Sequence, residues 1–457
     1  MKLRFSKSTF DGRAENGSVL IIVLWISIGL VCIALYFAHS MTFELRASDN
    51  RVTGLAADQA IEGAARYISY VLSNYATNGA VPDNTQFTCE SVPIGSACFW
   101  IIGRDPSGTS SSEPYFGLVD EASKLNLNTA NTNTLSYLPG MTLDFANAIA
   151  DWRSTNGVGA YALNYASLGY EDKNSPFETV DELRLVSGAT VGLLAGNDLN
   201  RNGVLDANEQ SLDGGGTVSP GLFEYVTIYT REPNFHSDGS SLTNVNTATE
   251  AQLRTFFQNA SIGNASGLAS SIGNYTHPRT GRANTFPSIL NFCLFCRNQG
   301  MSSDDFAKIY YNVTTSTSAY IRGRVNINTA GADVLTALFM GLNVDEQTAT
   351  GAAQSLVTYR QQNLNNLGSI AWLIDALGNS NPVVQALVSR DSITTRSFQF
   401  TADIAAVGPF GRGYRRVKFI FDVSDGIPKI IYRQDLSRLG WALGEKVRET
   451  QIAKATQ

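Results

Sequence analysis

The chain begins with a basic leader that is followed by a long uncharged apolar run. No charged residue occurs at positions 18–38, whereas the preceding leader carries four basic residues, Lys2, Arg4, Lys7 and Arg13. A helix of that length crosses a hydrocarbon core about 30 Å thick. Because the positive flank lies on the N-terminal side, we expect the leader to stay in the cytoplasm and the chain after His39 to be exported.

The helical rhythm continues beyond the apolar run. Apolar residues recur at three- and four-residue spacings, with charges between them, at Leu45, Leu55, Ala56, Ile61, Ala64, Ile68 and Val71. Such spacing is typical of an amphipathic helix. The pattern therefore predicts one long rod that ends near Asn74, with its outer half packed on a sheet.

Strand patterns lie at the two ends of the exported region. Segments rich in β-branched and aromatic residues, bounded by Gly, Pro and Asp-Gly turns, predict strands at residues 98–103, 115–120, 397–402, 414–423 and 428–434. We expect the last two to form a hairpin. Because a long, largely helical pattern separates the two groups, the simplest interpretation is one αβ domain that is split by a helical insertion.

The insertion contains an internal repeat. The pattern Asn-x-Asn-Thr-Ala, with a leucine five residues after the alanine, begins at Asn126, Asn244 and Asn326. Asn and Thr side chains cap helix N-termini, so we expect each copy to start a helix at its alanine. Companion segments, each with a Ser or Thr cap before another amphipathic helix, begin at Phe177, Phe286 and Leu367. The repeat predicts three copies of one small helical unit.

Composition and motifs argue against nucleic-acid binding. The net charge is −6, whereas phosphate binding requires a concentrated basic surface. The repeats resemble helix-hairpin-helix DNA-binding units in layout. Their turns read PGMT and MGLN, however, and lack the second glycine of a phosphate-binding turn. A structural role for the repeats is therefore favoured.

Catalytic patterns are missing from the sequence. The histidines, His39, His236 and His277, lie far apart, and no GxSxG, HExxH or P-loop motif occurs. Asp120 and Glu121, just before the first repeat, are interpreted as a solvated or capping pair. We expect no enzyme activity.

Five cysteines are present. Cys89 and Cys98 flank a short polar loop, and a disulfide closing that loop is expected in an oxidising compartment. Cys293 and Cys296 form a lone Cys-x-x-Cys. A zinc site would need two further ligands, so a structural disulfide and two packed thiols both stay open. Cys32 is a small apolar residue of the membrane span.

The strongest local chemistry is a loop at residues 198–209 with the spacing of an EF-hand. Oxygen-bearing residues occupy the ligand positions at Asp198, Asn200, Asn202, Val204, Asp206 and Glu209. Gly203 permits the sharp turn, Val204 supplies a carbonyl, and Glu209 closes the shell with both oxygens. The spacing predicts a structural calcium site of moderate affinity. A polar loop without metal is the alternative.

Gly17 is the small residue placed for processing, directly before the apolar run. Cleavage between Gly17 and Ser18 would remove the charged leader and leave the hydrophobic helix on the mature chain. This arrangement resembles the type IV pilin and pseudopilin class, in which a prepilin peptidase cuts after a glycine and methylates the new N-terminus. The fifth mature residue would be Ile22, where most pilins have an acidic residue. An ordinary membrane anchor is the alternative.

Further motifs resemble the general secretion pathway protein K family, the large minor pseudopilins of type II secretion systems. The resemblance is carried, from Gly17 to about Leu443, by VDEASKLNLNTA, the pair Asp151-Trp152, SPFETVDELRLVSG and RVNINTAGADVL. It implies an α+β fold in which a transmembrane helix continues as a pilin-like helix packed on an antiparallel sheet, with a large all-helical, SAM-like insertion. The middle copy, NVNTA, is an extra unit relative to the family.

The resemblance also gives expected boundaries. These are a leader (1–17), a transmembrane helix (18–38), the first part of a pilin-like domain (39–125), the insertion (126–393), the C-terminal strands (394–443) and a tail (444–457).

A family role follows from the resemblance. It implies a minor pseudopilin at the tip of the pseudopilus, held in the inner membrane with most of the chain in the periplasm, that acts in export of folded proteins. Implied partners are the minor pseudopilins I and J and other pseudopilus subunits, with the secretin and secreted substrates as further contacts. A DNA-uptake or adhesive tip protein and a membrane-anchored hydrolase are the alternatives.

Overall fold

The computed structural model describes residues 16–105, 113–155, 159–206, 209 and 218–455, so positions 1–15 of the expected leader lie outside the described residues. Its helices are α1 Asn16–Tyr75, α2 Thr132–Ser136, α3 Leu143–Trp152, α4 Ala162–Ser167, α5 Val191–Ala195, α6 Glu250–Asn259, α7 Ala265–Thr276, α8 Ile289–Asn298, α9 Ser303–Tyr310, α10 Ala332–Met340, α11 Glu346–Gln362, α12 Ala371–Leu377, α13 Pro382–Leu387 and α14 Gly444–Ala455. Its strands are β1 Val92–Ile94, β2 Ala97–Ile102, β3 Val119–Asp120, β4 Leu125–Asn126, β5 Val226–Thr227, β6 Arg231–Pro233, β7 Thr243–Asn244, β8 Val313–Thr314, β9 Tyr320–Arg322, β10 Val325–Asn326, β11 Ile393–Thr394, β12 Gln399–Val407, β13 Arg415–Asp422 and β14 Lys429–Asp435.

The helix α1 is the rod that the sequence pattern predicts. It runs without a break through the apolar segment and ends at Tyr75, one residue beyond the predicted end. By length and composition, Val19–Tyr75 is the part of the described chain that could cross a membrane. The predicted cleavage point between Gly17 and Ser18 falls in its first turn.

The central sheet consists of strands from both ends of the chain. Its order is β1-β2-β12-β13-β14, all neighbours are antiparallel, and β3 pairs with β12 beyond the end of β2. The predicted hairpin of β13 and β14 is confirmed. Segment 115–120 is shorter than predicted, because only β3 joins the sheet and Phe116 makes an isolated bridge to Ile102.

The outer half of α1 packs on one face of the central sheet. Small residues let the helix approach the strands, and the buried contacts come from Ala57, Ala60, Ile61, Ala64, Ile68 and Leu72 against Phe99, Ile101, Phe400, Ile404, Phe419 and Phe421. The prediction that Leu45 and Leu55 belong to the buried apolar stripe of the helix is wrong, because both are exposed. The sheet covers α1 only from Thr53 onward, and Leu55 lies on the uncovered side.

The insertion forms its own core, but it is not all-helical. One large apolar cluster runs through all three helical units and includes the repeat leucines Leu135, Leu253 and Leu335, each fully buried. Three parallel two-stranded sheets, β4 with β5, β7 with β8 and β10 with β11, also lie within the insertion. Each joins the start of one unit to its end, so the repeat is a closed structural unit rather than a run of helices.

Candidate functional site

The described part of the loop, residues 198–206 and 209, brings together side chains that were predicted as ligands. Asp198, Asn200 and Asn202 are buried, although each carries a polar side chain. The Asp198 carboxylate accepts hydrogen bonds from the backbone N–H groups of Asn202 (3.0 Å) and Gly203 (2.7 Å). Gly203 has a φ of 87°, a conformation that favours glycine. The first half of the loop therefore has the tight turn that the spacing predicts.

The second half of the loop returns to the first. The Glu209 carboxylate accepts from the N–H groups of Asn200 (3.0 Å) and Asp206 (3.1 Å). The Asp206 carboxylate accepts from the side-chain amides of Asn200 and Asn202. The structure thus brings five of the predicted ligand side chains together, and the N–H of Val204 donates to the Asn202 side chain at 2.9 Å.

The donor set suits a hard cation. Its side chains offer carboxylate and amide oxygens, the ligands that calcium prefers. Across the described residues, no three or more His, Cys, Asp or Glu side chains lie close enough together to hold a metal. The Asp206 and Glu209 carboxylates instead accept hydrogen bonds from amide groups of the loop.

Two arginines from outside the loop hold its backbone. Arg416 on β13 donates to the carbonyl oxygens of Asn200 and Arg201, and Arg104 after β2 also donates to the Arg201 carbonyl (3.1 Å). Arg104 is paired with Glu224 at 2.8 Å. The loop is therefore fixed to the central sheet and is not a free surface segment.

The electrostatics of Asp198 are set by burial. Removal from water raises the pKa of this carboxyl, and the positive charge of Arg104 acts in the opposite direction. A bound cation would favour the ionised form, as the Arg104 guanidinium does.

Asp120 and Glu121 are not a solvated pair, because both are buried. Asp120 accepts from the Asn326 amide (3.0 Å) and from the hydroxyls of Thr329 and Ser397 (both 2.5 Å). It also caps the following turn through the Ala122 N–H, so the capping half of the prediction is confirmed. Asp120 joins the central sheet to the third repeat, because Asn326 and Thr329 belong to that repeat.

The Asn-x-Asn-Thr-Ala repeats do not start helices at their alanines. The helix cap is the residue after the alanine, namely Asn131, Thr249 or Gly331, and the motif itself forms a strand followed by a turn. In each copy the first asparagine accepts from the N–H of the second, as in Asn126 with Asn128 (2.8 Å). The motif therefore shapes the chain before the helix, not the helix itself.

The second asparagine of each repeat clamps the companion segment. Asn128 donates to the Phe177 carbonyl (3.0 Å) and accepts from its N–H (2.8 Å). Asn246 makes the same pair with Phe286, at 3.0 and 2.7 Å. Asn328 donates to the Leu367 carbonyl (3.0 Å) and accepts from the Trp372 indole. The recurrence of companion segments follows from these clamps.

An arginine that the sequence reasoning missed completes two of the units. Arg153 donates to the carbonyls of Leu127 and Ala130, and Arg360 donates to those of Ile327 (3.1 Å) and Ala330 (2.7 Å). Each arginine is located near the C-terminal end of the second helix of its unit, directly after an aromatic residue. The shared aromatic-Arg pair, Trp-Arg in one unit and Tyr-Arg in the other, is a weak sequence signal for this role of the arginine.

The predicted disulfide does not form in this structure. Cys89 and Cys98 are both free, with Cys89 in the core under α1 and Cys98 against the opposite face of the sheet. Alternation along β2 places Cys98 on the side of Trp100, away from α1. Cys293 and Cys296 are buried free thiols in α8, and burial raises the pKa of both. The packed-thiol alternative therefore describes this pair.

The N-terminal half of α1 exposes its apolar side chains. Large hydrophobic residues from Val19 to Leu45 are half or more exposed, and Ile22 is 57% exposed. A surface of this kind is stable in lipid or against other helices, but not in water. The part of the described chain from Thr53 onward, here called the head, covers none of it.

Comparison with solved structures finds chains of similar structure. No protein-family model and no curated protein matches the chain. A solved chain from the GspK-GspI-GspJ complex of the type 2 secretion system of enterotoxigenic Escherichia coli is similar, with 12% identity, coverage of 86% of this chain and 99% of that chain, and a TM-score of 0.37.

Proposed function

We propose that this protein is a minor pseudopilin that caps the tip of a type II secretion pseudopilus. The observation that carries the proposal is α1, a single helix of 60 residues whose outer half packs on an antiparallel sheet while its inner half exposes apolar side chains. Such a rod suits first a membrane and then a bundle of like rods. The family resemblance of the sequence motifs supports the same role.

The tip position is supported by two features of the chain. Ile22 stands where other pilins have the acidic residue that meets the N-terminus of a neighbouring subunit, so this subunit has no need of a neighbour above it. The insertion at 126–393 adds a second body to the head, which suits one terminal copy better than repeated stacking. Prepilin cleavage after Gly17 and methylation of Ser18 belong to the same proposal.

Calcium at the loop is part of the proposed function. The ion would be held by the Val204 carbonyl and by the side chains of Asp198, Asn200, Asn202, Asp206 and Glu209. Its binding would offset the conformational entropy that the long loop loses when it is ordered. Since Arg416 and Arg104 already attach this loop to the central sheet, calcium would stabilise the junction of sheet and insertion.

The partners proposed are the minor pseudopilins I and J, bound through the rods, with the inner membrane as anchor before assembly. The test is co-expression of the full chain with these two proteins and recovery of the complex in detergent. Leu55→Asp and Tyr70→Asp, on exposed positions of the outer rod, should each lower recovery at least about tenfold, since a buried charge costs well over 1.4 kcal/mol. Leu163→Asp, on an exposed position of the insertion, is the matched control. Unchanged recovery with both rod variants would contradict the proposal.

A further inference from the structure

A cleft between the central sheet and the first unit of the insertion is lined by charged side chains. Its floor is the face of β12 and β13 that turns away from α1, and this face contributes Thr401, Lys418 and Ile420 to the lining. About 80 Å³ of the cleft is open to the centres of water molecules. Since one water molecule needs about 10 to 15 Å³ of such space, the cleft has room for a solute of about five to eight non-hydrogen atoms.

Three cations of the cleft have no anionic partner. They are Lys124, after the turn that follows β3, Lys418 on β13 and Arg201 in the loop at residues 198–209. Across the described part of the chain, none of these three side chains forms an ion pair or donates a hydrogen bond. Two of them lie over aromatic rings: the Lys418 ammonium is 5.8 Å from the centre of the Tyr432 ring, and the Arg201 guanidinium is 4.2 Å from that of Phe223. Such contacts hold a cation in place and leave its N–H groups unused.

The carboxylates of the cleft, in contrast, all accept hydrogen bonds from the protein. The donors are guanidinium groups for Glu224 and Asp403, hydroxyl groups for Glu121, a side-chain amide for Asp181 and backbone N–H groups for Asp198. The unused hydrogen-bonding groups of the three cations are therefore donors. A ligand that satisfies them must bring acceptors, and an oxyanion carries several acceptor oxygens together with the opposite charge.

Lys418 has an energetic cost in this position. Burial lowers the pKa of its ammonium group, and the negative charge of Glu121 only partly opposes that effect. An apolar side chain would suit the position, because Ile102, Ile420 and Leu436 share the lining of the cleft. Charges that are withdrawn from water without a partner lower stability, and residues that lower stability are typical of functional sites. The lysine therefore indicates a ligand rather than a structural role.

We propose that this cleft binds a small oxyanion, a phosphate or a carboxylate, through Lys124, Lys418 and Arg201. A free ion and the acidic group of a larger molecule share this chemistry, and the test below distinguishes them. Lys418 belongs to the central sheet and Arg201 to the insertion, so a bound oxyanion would also tie the two parts of the head together. The site does not depend on the pseudopilin role or on calcium, because none of its three cations belongs to the rod or to the predicted metal ligands.

The test measures binding of inorganic phosphate, acetate and a short glutamate peptide to the full chain in a maltoside detergent. Titration calorimetry is run at constant ionic strength in buffer freed of divalent ions, so that no anion binds through calcium. Lys418→Met and Lys124→Met should each weaken binding at least about tenfold, because each removes charge-assisted hydrogen bonds. Lys446→Met, at an exposed position of α14, is the matched control and should bind like wild type. Without anion, Lys418→Met should raise the melting temperature, whereas loss of a structural lysine would lower it.

Each outcome decides the proposal. Binding of phosphate or acetate that both cleft variants weaken supports a site for a free ion. Binding of the peptide alone, with the same dependence on Lys418, supports a site for the acidic group of a larger molecule. If none of the three probes binds, or if wild type and Lys418→Met bind equally well, the proposal is wrong. Should Lys418→Met fail to fold, Lys418→Gln, which keeps a polar side chain without the charge, takes its place under the same criteria.

Discussion

Arg416 and Asp403 form a two-point ion pair between neighbouring strands of the central sheet, with Nε to Oδ1 at 2.9 Å and Nη2 to Oδ2 at 2.6 Å. The arginine is fully buried, and its guanidinium also donates to the carbonyls of Asn200 and Arg201. One side chain thus links β12, β13 and the loop at residues 198–209.

Removal of this arginine should be strongly destabilising. We expect Arg416→Met to lower the free energy of unfolding by about 3 to 5 kcal/mol, because it leaves the Asp403 carboxylate buried without its partner. The measurement is urea unfolding of the head. Arg433→Met is the matched control, since Arg433 pairs with Glu62 on the surface and should contribute less than about 1 kcal/mol. Equal effects of the two variants would refute the central role of Arg416.

Calcium should stabilise the head through the loop. Addition of a chelator is expected to lower the melting temperature of the wild-type protein, and Asp198→Ala should abolish that sensitivity. Asp304→Ala, which changes an exposed aspartate in α9, should leave it unchanged. Because burial raises the pKa of Asp198, protons should compete with calcium at a higher pH than at an exposed aspartate. A melting curve that chelator does not move would count against the site.

Replacing a clamp asparagine by aspartate, which exchanges the amide nitrogen for an oxygen, should lower stability. In Asn128→Asp the side chain can still accept from the Phe177 N–H, but it can no longer donate to the Phe177 carbonyl, which then faces a carboxylate. We expect a loss of about 2 kcal/mol or more in unfolding free energy, and the same for Asn246→Asp. Asn133→Asp, at an exposed position of α2, is the control and should be nearly neutral. A neutral result at both clamps would show that the motif is not structural.

The buried Asp120 should make stability depend on pH. Burial raises its pKa to about 6, above the ordinary value of 3.8. The folded protein therefore binds this proton more tightly than the unfolded chain, so the group favours folding below about pH 4 and loses that contribution as pH rises through 6. The loss is on the order of 3 kcal/mol. In Asp120→Asn this slope between pH 4 and 6 should disappear from unfolding curves measured at each pH, and a slope that persists would assign it to another group.

The turn Pro409–Gly411 after β12 should gain stability when Phe410, which is 68% exposed, is replaced by glycine. Phe410→Gly removes the penalty of a φ of 57° at the loss of little packing, so we expect a gain of about 1 kcal/mol. Phe410→Ala keeps the strain and removes the ring, and it should give no gain. If both variants behave alike in thermal unfolding, the backbone conformation is not the cause.

Local periodicity was sufficient to predict the rod, the hairpin of β13 and β14, and the split of one αβ domain by an insertion. A helix or strand leaves its own spacing in the sequence, so Ile61, Ala64 and Ile68 could be assigned to the core directly. The loop at 198–209 was predicted for the same reason, because all its ligand positions lie within twelve residues of one another.

Contacts between distant segments could not be predicted in this way. The role of Asn128 depends on Phe177, and the burial of Asp120 depends on Ser397; neither partner lies near in sequence. The exposure of Leu55 depends on which side of α1 the sheet covers. The pairing of Cys89 with Cys98 failed because the strand pleat places them on opposite faces, which sequence proximity does not reveal.

The position of β12 in the sheet has a consequence for biogenesis. This strand lies between β2 and β13, and its Asp403 is in register with Ile102, although the whole insertion separates them in the chain. During synthesis, the apolar face of α1 that packs on the sheet is not fully buried until the last part of the polypeptide emerges. The insertion must therefore fold first, as a self-contained unit, and a nascent or truncated product without residues 399–435 should be a substrate for chaperones and proteases rather than a partly working subunit.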